Sequence, residues 1–293
     1  MRKKNLALQI GLCVFFTIIC ALILFPFWLL VSASFSNADV IAKTGYQLWP
    51  KPFDLTAYKV VFENPGQILN AYKVTFIFSI TAMVLAVLLM AMIAYPLARK
   101  NLKGRGAINF YLYFTMLFGG GLVPTYIIFT RIFHLNDTIW VYIIPGLISP
   151  WYVFMMRTFF AGIPGEIIES ATIDGASEYT IFIKMILPLS KPVLATIALF
   201  TFLGKWNDWY TALIYITDPD LYSLQFLLQK IMEDIKVLID NMNKGIGNLT
   251  TEGIPAETVR MAMAVVVAGP ALVVFPFFQK YFVKGLTVGS VKG

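Results

Sequence analysis

Cysteine and histidine are almost missing from this chain: Cys13, Cys20 and His134 are all it has. A zinc site takes about three or four protein ligands, mostly of these types, so the sequence offers no Cys/His metal cluster. Cys13 and Cys20 fall on one face of a single apolar helical stretch, where they cannot bridge each other without breaking it. Charge is also scarce, at 13% of residues, against about 25% in a soluble domain. No Gly-x-x-x-x-Gly-Lys-Ser/Thr run occurs, so the loop that cradles nucleotide phosphates is absent. Neither the second nor the third apolar segment carries an acidic residue. That lack argues against a proton or ion relay, which uses carboxylates in series. No nucleophile–base pair or metal cluster recommends an enzyme.

What the chain has in abundance is apolar length. Of 293 residues 58% are hydrophobic, and the mean hydropathy is +0.74. Repeated apolar runs near twenty residues are the length of a membrane-crossing helix. The first covers residues 6–30 behind Arg2-Lys3-Lys4. It exceeds the about 7–15 residues of a signal-peptide core, so it reads as a retained span, although small residues at 32–34 leave cleavage open. Pro26 should kink it or mark its exit. Residues 32–70, with Pro50, Pro52, Pro65, Tyr46 and Trp49, read as short helices and turns at the outer interface.

A second span at 71–98 ends in Arg99-Lys100-Asn101-Leu102-Lys103-Gly104-Arg105, four positive charges without a negative one. Such a loop stays in the cytoplasm. The net charge of +7 is therefore read as positive-inside bias, not as a nucleic-acid surface. Further spans are expected at 107–129, bent at Gly119-Gly120-Gly121; at 139–160, interrupted by Pro145 and Pro150; at 193–216; and at 259–282, broken by Gly269-Pro270. The glycine triple admits two readings, close helix packing or a place in a substrate route. An acidic outer segment, 217–257, separates the last two spans. Its stretch 221–240 is amphipathic and helical, and Gly245, Gly247 and Gly253 make the rest a loop. The sum is an all-α polytopic membrane protein of six transmembrane helices with both termini in the cytoplasm. Residues 1–70 form an N-terminal span with its outer segment, and 71–293 the core.

Two stretches break the apolar pattern. One is a cytoplasmic connector, about 161–190, carrying Glu166, Glu169, Asp174, Glu178 and Lys184. Gly175 can stop its first helix because glycine tolerates positive φ. Ser170, Ala171 and Ala176 are small enough for close docking on a soluble partner, and Glu169 suits a basic residue there. A solvated amphipathic loop is the plainer reading of the same residues. The other stretch is Lys205-Trp206-Asn207-Asp208-Trp209-Tyr210, roughly 21 Å past Lys191 along a helix. Polar groups at that depth need a partner or a wet cavity. Aromatic rings beside amides and carboxylates suit sugar. An interfacial aromatic belt with a Lys205–Asp208 pair would look the same.

Glu169-Ser170-Ala171, Gly175 and Met185-Ile186-Leu187-Pro188 resemble the EAA loop of ABC importer membrane subunits. That pattern asks for Glu-Ala-Ala, three residues, Gly, nine residues and Ile-x-Leu-Pro; Ser170 and Met185 are its two departures. Asp174-Gly175-Ala176 is the form found in the sugar-importer branch. Asn136-Asp137-Thr138, Pro145, Arg157-Thr158-Phe159-Phe160, Ile163-Pro164, Trp206-Asn207 and Gln279 to Gly285 are similar to permeases of the maltose-type group. The ending through Gly293 resembles the tail of that system's second permease. Gly119 to Thr125 looks like a branch handling complex oligosaccharides.

The resemblance covers about 95–293, and it implies an ABC type I importer permease fold in the bacterial inner membrane. Coupling would run through Glu169, Ser170, Ala171, Asp174, Gly175, Ala176, Leu187 and Pro188. The sugar would pass Trp206, Asn207, Asp208, Tyr210, Gly120 and Gly121. A C-terminal tail, about 284–293 with Gly285, Gly289 and Lys292, would reach the ATPases. Implied partners are a homologous second permease, two ATP-binding subunits, an extracellular solute-binding protein, the carbohydrate and membrane lipid, with no nucleic acid. This chain would hold no cofactor, ATP and Mg residing on the partner subunits. An importer of amino acids, peptides or polyamines stays open, as, further off, does a secondary carrier.

Overall fold

The computed structural model describes residues 2–243 and 256–289; their regular elements are helices, and the one extended pairing among them is an isolated bridge, Ser36 with Phe53. Two compact units divide the chain, residues 1–68 with 228–270 and residues 69–227 with 271–293.

In the first unit α1 (Arg2–Ser34) runs past Pro26 for two more turns. Its stretch Leu8–Ser34 has apolar side chains all round and almost none of them buried, except at the end. A helix that is apolar on every side and unpacked belongs in lipid or against another subunit. Its end is fixed by the segment that follows. Trp28 Nε1 donates to the Leu48 carbonyl at 2.8 Å, and Ser32 Oγ to Gln47 at 2.8 Å. Phe35 stacks on Phe53 and Tyr58, with ring centres 5.4 and 4.8 Å away. Two short helices form here, each with a side-chain acceptor near its start. Asn37 accepts from the Asp39 amide ahead of α2 (Ala38–Thr44), and Asp54 accepts from the amide and hydroxyl of Thr56 at the head of α3 (Thr56–Val61). The Thr56 donors, with Asn37, hold the Asp54 carboxyl below the usual carboxylate range.

The second unit is organised by α4 (Pro65–Ala98). Its buried positions step by three or four: Phe78, Ala82, Ala86, Met90, Ala94 and Leu97. Alanine at three of them lets neighbouring backbones approach closely. The opposite face, Ile77, Ile80, Val84, Leu88 and Met92, is apolar and exposed. Against the alanine stripe pack α8 (Pro150–Ala161), α9 (Gly165–Ile173) and α10 (Glu178–Ile181), sharing one core with Val193 and Ile197.

The other expected spans are broken more than the sequence suggests. Arg105–Leu117 (α5) and the stretch Leu122–Ile132, which begins as α6 (Leu122–Ile127), meet at 111° across the glycine triple. The expected span 139–160 is α7 (Trp140–Ile143), a non-helical stretch and α8. The expected span 193–216 is α12 (Lys191–Trp206), a break at 207–209, and α13 (Tyr210–Tyr215). Glu178–Leu189, which ends in α11 (Leu187–Leu189), meets α12 at 78°. Conversely, Gly269-Pro270 does not break the last helix. The amphipathic α14 (Leu224–Asn243) is followed by α15 (Ala256–Gly289), which is continuous. One missing amide donor is tolerated where the rest of a helix is intact. Among the described residues three helices are long and apolar enough to cross a membrane, or five if each bent pair is one span.

Candidate functional site

The connector is a knob on a buried foot. Ile168 and Ala171 of α9 and Ile181, Phe182 and Ile186 beyond it are buried in the core shared with α4 and α8. Its turn is a glycine-terminated helix end. The Gly175 amide donates to the Thr172 carbonyl at 3.1 Å, and the Ala176 amide to Ala171 at 2.9 Å, while Gly175 sits at φ +81°. This six-to-one and five-to-two pairing closes the last carbonyls of a helix and requires the left-handed region at the glycine. Ser177 then caps α10, accepting from the Thr180 amide at 3.2 Å. Pro188 cannot donate to the Lys184 carbonyl, and the backbone just before it widens into a π turn, Phe182–Ile186.

The residues singled out for coupling divide by burial. Glu169, Ser170, Asp174, Gly175 and Pro188 are exposed; Ala176 and Leu187 are half-buried; Ala171 is buried and belongs to the foot. Two exposed residues escaped the sequence reading: Ile173, 81% exposed at the tip, and Tyr179, 72% exposed. An apolar side chain standing in solvent was not legible, since the same isoleucine in a helix reads as core.

A polar contact joins the connector to α4. Arg99 Nη2 lies 2.9 Å from Glu178 Oε1, and the Tyr95 hydroxyl donates to Glu178 Oε2. The Arg99 and Glu178 side chains are 31% and 62% exposed, so the pair adds about 0–1 kcal/mol to stability.

The aromatic cluster is taken apart by the structure. Trp206 is 1% exposed, enclosed by Phe76, Phe202 and Tyr72 at centroid distances of 4.9, 5.8 and 6.4 Å. Asn207 is exposed; its Nδ2 donates to Leu203 and its Oδ1 accepts from Gln225 at 3.0 Å. Asp208 accepts from the amide and hydroxyl of Thr211, starting α13. Trp209 and Tyr210 meet edge to face at 5.7 Å, both part-exposed. Gly120 and Gly121 lie in the bend of the third segment, Gly121 at φ +81°. Contact between the two segments is made further along, where Tyr126 stacks on Tyr215 at 5.6 Å and Phe129 meets the same ring at 6.1 Å.

Lys205 does not pair with Asp208. Its ammonium donates to the carbonyls of Tyr142 and Pro145, at 2.5 and 2.9 Å. These oxygens lie where the helix breaks at Pro145-Gly146, so the lysine replaces amide donors that a continuous helix would supply. An acceptor left bare in an apolar setting costs several kcal/mol, which accounts for a cation here.

The start of the outer segment is clamped. Asp137, itself in the left-handed region at φ 50°, accepts from the Thr217 amide and hydroxyl and the Asp218 amide. These donors, the Thr217 amide foremost, hold its carboxyl below the usual carboxylate range. Asn70 donates to Asp220, Tyr142 to Leu221, and the Leu224 amide to Thr75. In the tail, Gly285 and Gly289 fall within α15, and Lys292 lies outside the described residues, as do 244–255 of the outer loop. Among the described residues no group of three or more His, Cys, Asp or Glu is placed to hold a metal.

Residues 70–288 match the family described as binding-protein-dependent transport system inner membrane component. The chain is 36% identical to Protein LplC of Bacillus subtilis over 93% of its own length and 90% of that protein. It is 35% identical to the polygalacturonan/rhamnogalacturonan transport system permease YtcP of the same organism, covering 97% and 96%. The arabinooligosaccharides permease AraQ of Halalkalibacterium halodurans is 30% identical over 100% and 99%. Among solved structures, a chain of a bacterial ABC transporter involved in import of the acidic polysaccharide alginate superposes with a TM-score of 0.77. That chain is 26% identical, with 95% and 98% of the two chains covered.

Proposed function

The chain belongs to the family of inner membrane components of binding-protein-dependent transport systems, and from that premise we propose that it is the permease subunit of an ATP-driven importer of oligosaccharide. The observation that carries the reading is the connector: a small, exposed, glycine-stopped knob on a foot sunk in the core beneath α4 and α8. Force applied at Glu169, Ser170, Asp174, Gly175 and Ala176 reaches the spans through Ala171 and Leu187, because a close-packed core transmits displacement rather than absorbing it.

Separate ATPase subunits supply that force when ATP and Mg close them together. The spans, six in all with both termini in the cytoplasm, then alternate between inward and outward openings. A homologous second permease completes the pore, and a solute-binding protein delivers the sugar at the clamped outer segment. The tail with Gly285, Gly289 and Lys292 reaches the ATPases. Asn207, Asp208 and Tyr210, with Gly120 and Gly121 on the facing segment, line the route; Trp206 backs it from the interior. Residues 1–70 supply an N-terminal span and its outer segment. Names of similar proteins, from arabinooligosaccharides to polygalacturonan, support a carbohydrate cargo.

The test is reconstitution. The transporter purified through a tag on this chain, placed in vesicles with its binding protein, is expected to import labelled oligosaccharide only with ATP. A panel of neutral and uronate-containing oligosaccharides names the class. Transport by this chain alone on an ion gradient, or ATP-driven import of amino acids or peptides instead, would overturn the reading.

A further inference from the structure

We propose that Glu178 is a positioning residue that sets the angle between the connector and α4, a role resting on the coupling function proposed above. The second limb of the connector touches the cytoplasmic end of α4 at two levels. At the rim, Glu178 takes hydrogen bonds from the Tyr95 hydroxyl and from Arg99, the latter at 2.9 Å. One turn further along the limb, the Phe182 ring meets the Tyr95 ring at 5.3 Å. Beside these contacts lies an open apolar cavity of about 810 Å³, walled by Leu88 and Met92 of α4 and by Ile183 and Leu187 of the limb.

The cavity determines what the polar contact does. Apolar walls that do not meet exert no directional restraint. The ring contact at Phe182 permits pivoting, because aromatic pairs accept a range of tilts. Ile181 and Ile186 anchor the limb in the core below; at its rim the two hydrogen bonds to one carboxylate add the directional restraint, since they demand alignment within narrow angles. Arg99 is the first residue beyond α4, and Glu178 the first of α10. The tie therefore joins the end of a spanning helix to the start of the limb that leads into α12. A push on the knob carries the rim of the limb together with α4 while the tie holds, and lets that rim tilt toward the cavity when it does not.

The experiment uses the assembled transporter in vesicles and two readouts. Hydrogen exchange over residues 178–189 reports the limb and needs no substrate, so it stands apart from the carbohydrate reading. Substrate moved per ATP hydrolysed reports coupling. Glu178→Ala is expected to speed exchange and lower the coupling ratio, roughly fivefold for a lost contact of this kind. Tyr95→Phe, which keeps the ring on Phe182, should give a smaller change in the same direction. Arg99→Glu and Glu178→Arg should each fail, and the two combined should recover part of both readouts. Wild-type exchange and coupling in Glu178→Ala would overturn the proposal. So would a charge-swapped pair no better than its single variants, or loss of the ATPase with exchange unchanged, which would put Glu178 on the motor instead.

Discussion

Gly175 does its work through backbone alone. A Cβ placed there would meet nothing within 4 Å, so substitution is opposed by its φ of +81° and not by crowding. Gly175→Ala should therefore cost about 1–2 kcal/mol at the turn and lower ATP-driven import, while Gly175→Asn, which enters the left-handed region more readily, should keep more of it. Gly175→Pro cannot adopt that φ and should abolish uptake while the subunit still reaches the membrane. Paired transport and membrane-yield assays decide among these. Lys205 is the opposite case, a side chain whose charge completes a backbone. Lys205→Met leaves the Tyr142 and Pro145 carbonyls bare. At about 1–3 kcal/mol for each orphaned acceptor, the detergent-solubilised protein should melt at a clearly lower temperature. At Asp137 the sign of the pH effect follows from its lowered pKa. The contribution of its clamp is complete above the unfolded carboxylate value, about 3.9, and is lost as pH falls through the lower folded value. Protection of the Thr217 and Asp218 amides should fade on acidification over that window, and Asp137→Asn should weaken it already at pH 7.

Among elements, α4 shows why part of the fold was readable and part was not. Its length and apolarity identify it as a span from sequence alone, and the connector's Gly175 and Pro188 mark turn and limb without a structure. The face it buries is another matter. Every residue of α4 from 74 to 92 is apolar or a small hydroxyl residue apart from its aromatics, so no polar side announces the outside. Only packing reveals that Ala82, Ala86 and Ala94 point inward. Ala94→Leu should force neighbouring backbones apart and lower stability by about 1–3 kcal/mol, measured as a drop in thermal midpoint; the same change in apolar volume at Met92, 57% exposed, should do little. The breaks were half visible. Proline and glycine flagged 119–121, 145 and 150, yet Gly269-Pro270 carried the same flag and the helix runs through it. Breaking depends on whether another group satisfies the freed carbonyls, as Lys205 does from 60 residues away for Pro145, and such partners are not encoded locally. For the same reason the sequence left Trp206 open between a sugar-lining place and an aromatic belt with a Lys205–Asp208 pair: it supplied the residue types without their directions.

At the level of the whole molecule, what this chain leaves open defines what it is built to join. The outward face of α4, nearly all of Leu8–Ser34 and the tip of the knob are apolar and uncovered. Lipid suits the first two. Ile173 lies instead on the connector, which the proposed topology places in the cytoplasm, where no lipid reaches it. An orphan copy, made in excess over its ATPase, would hold up this greasy fingertip to every chaperone and protease that surveys unassembled proteins. Its lifetime in the cell should then be set by the supply of its motor: pulse–chase without the ATPase gene should show rapid loss, and Ile173→Ser should slow that loss even as it weakens assembly.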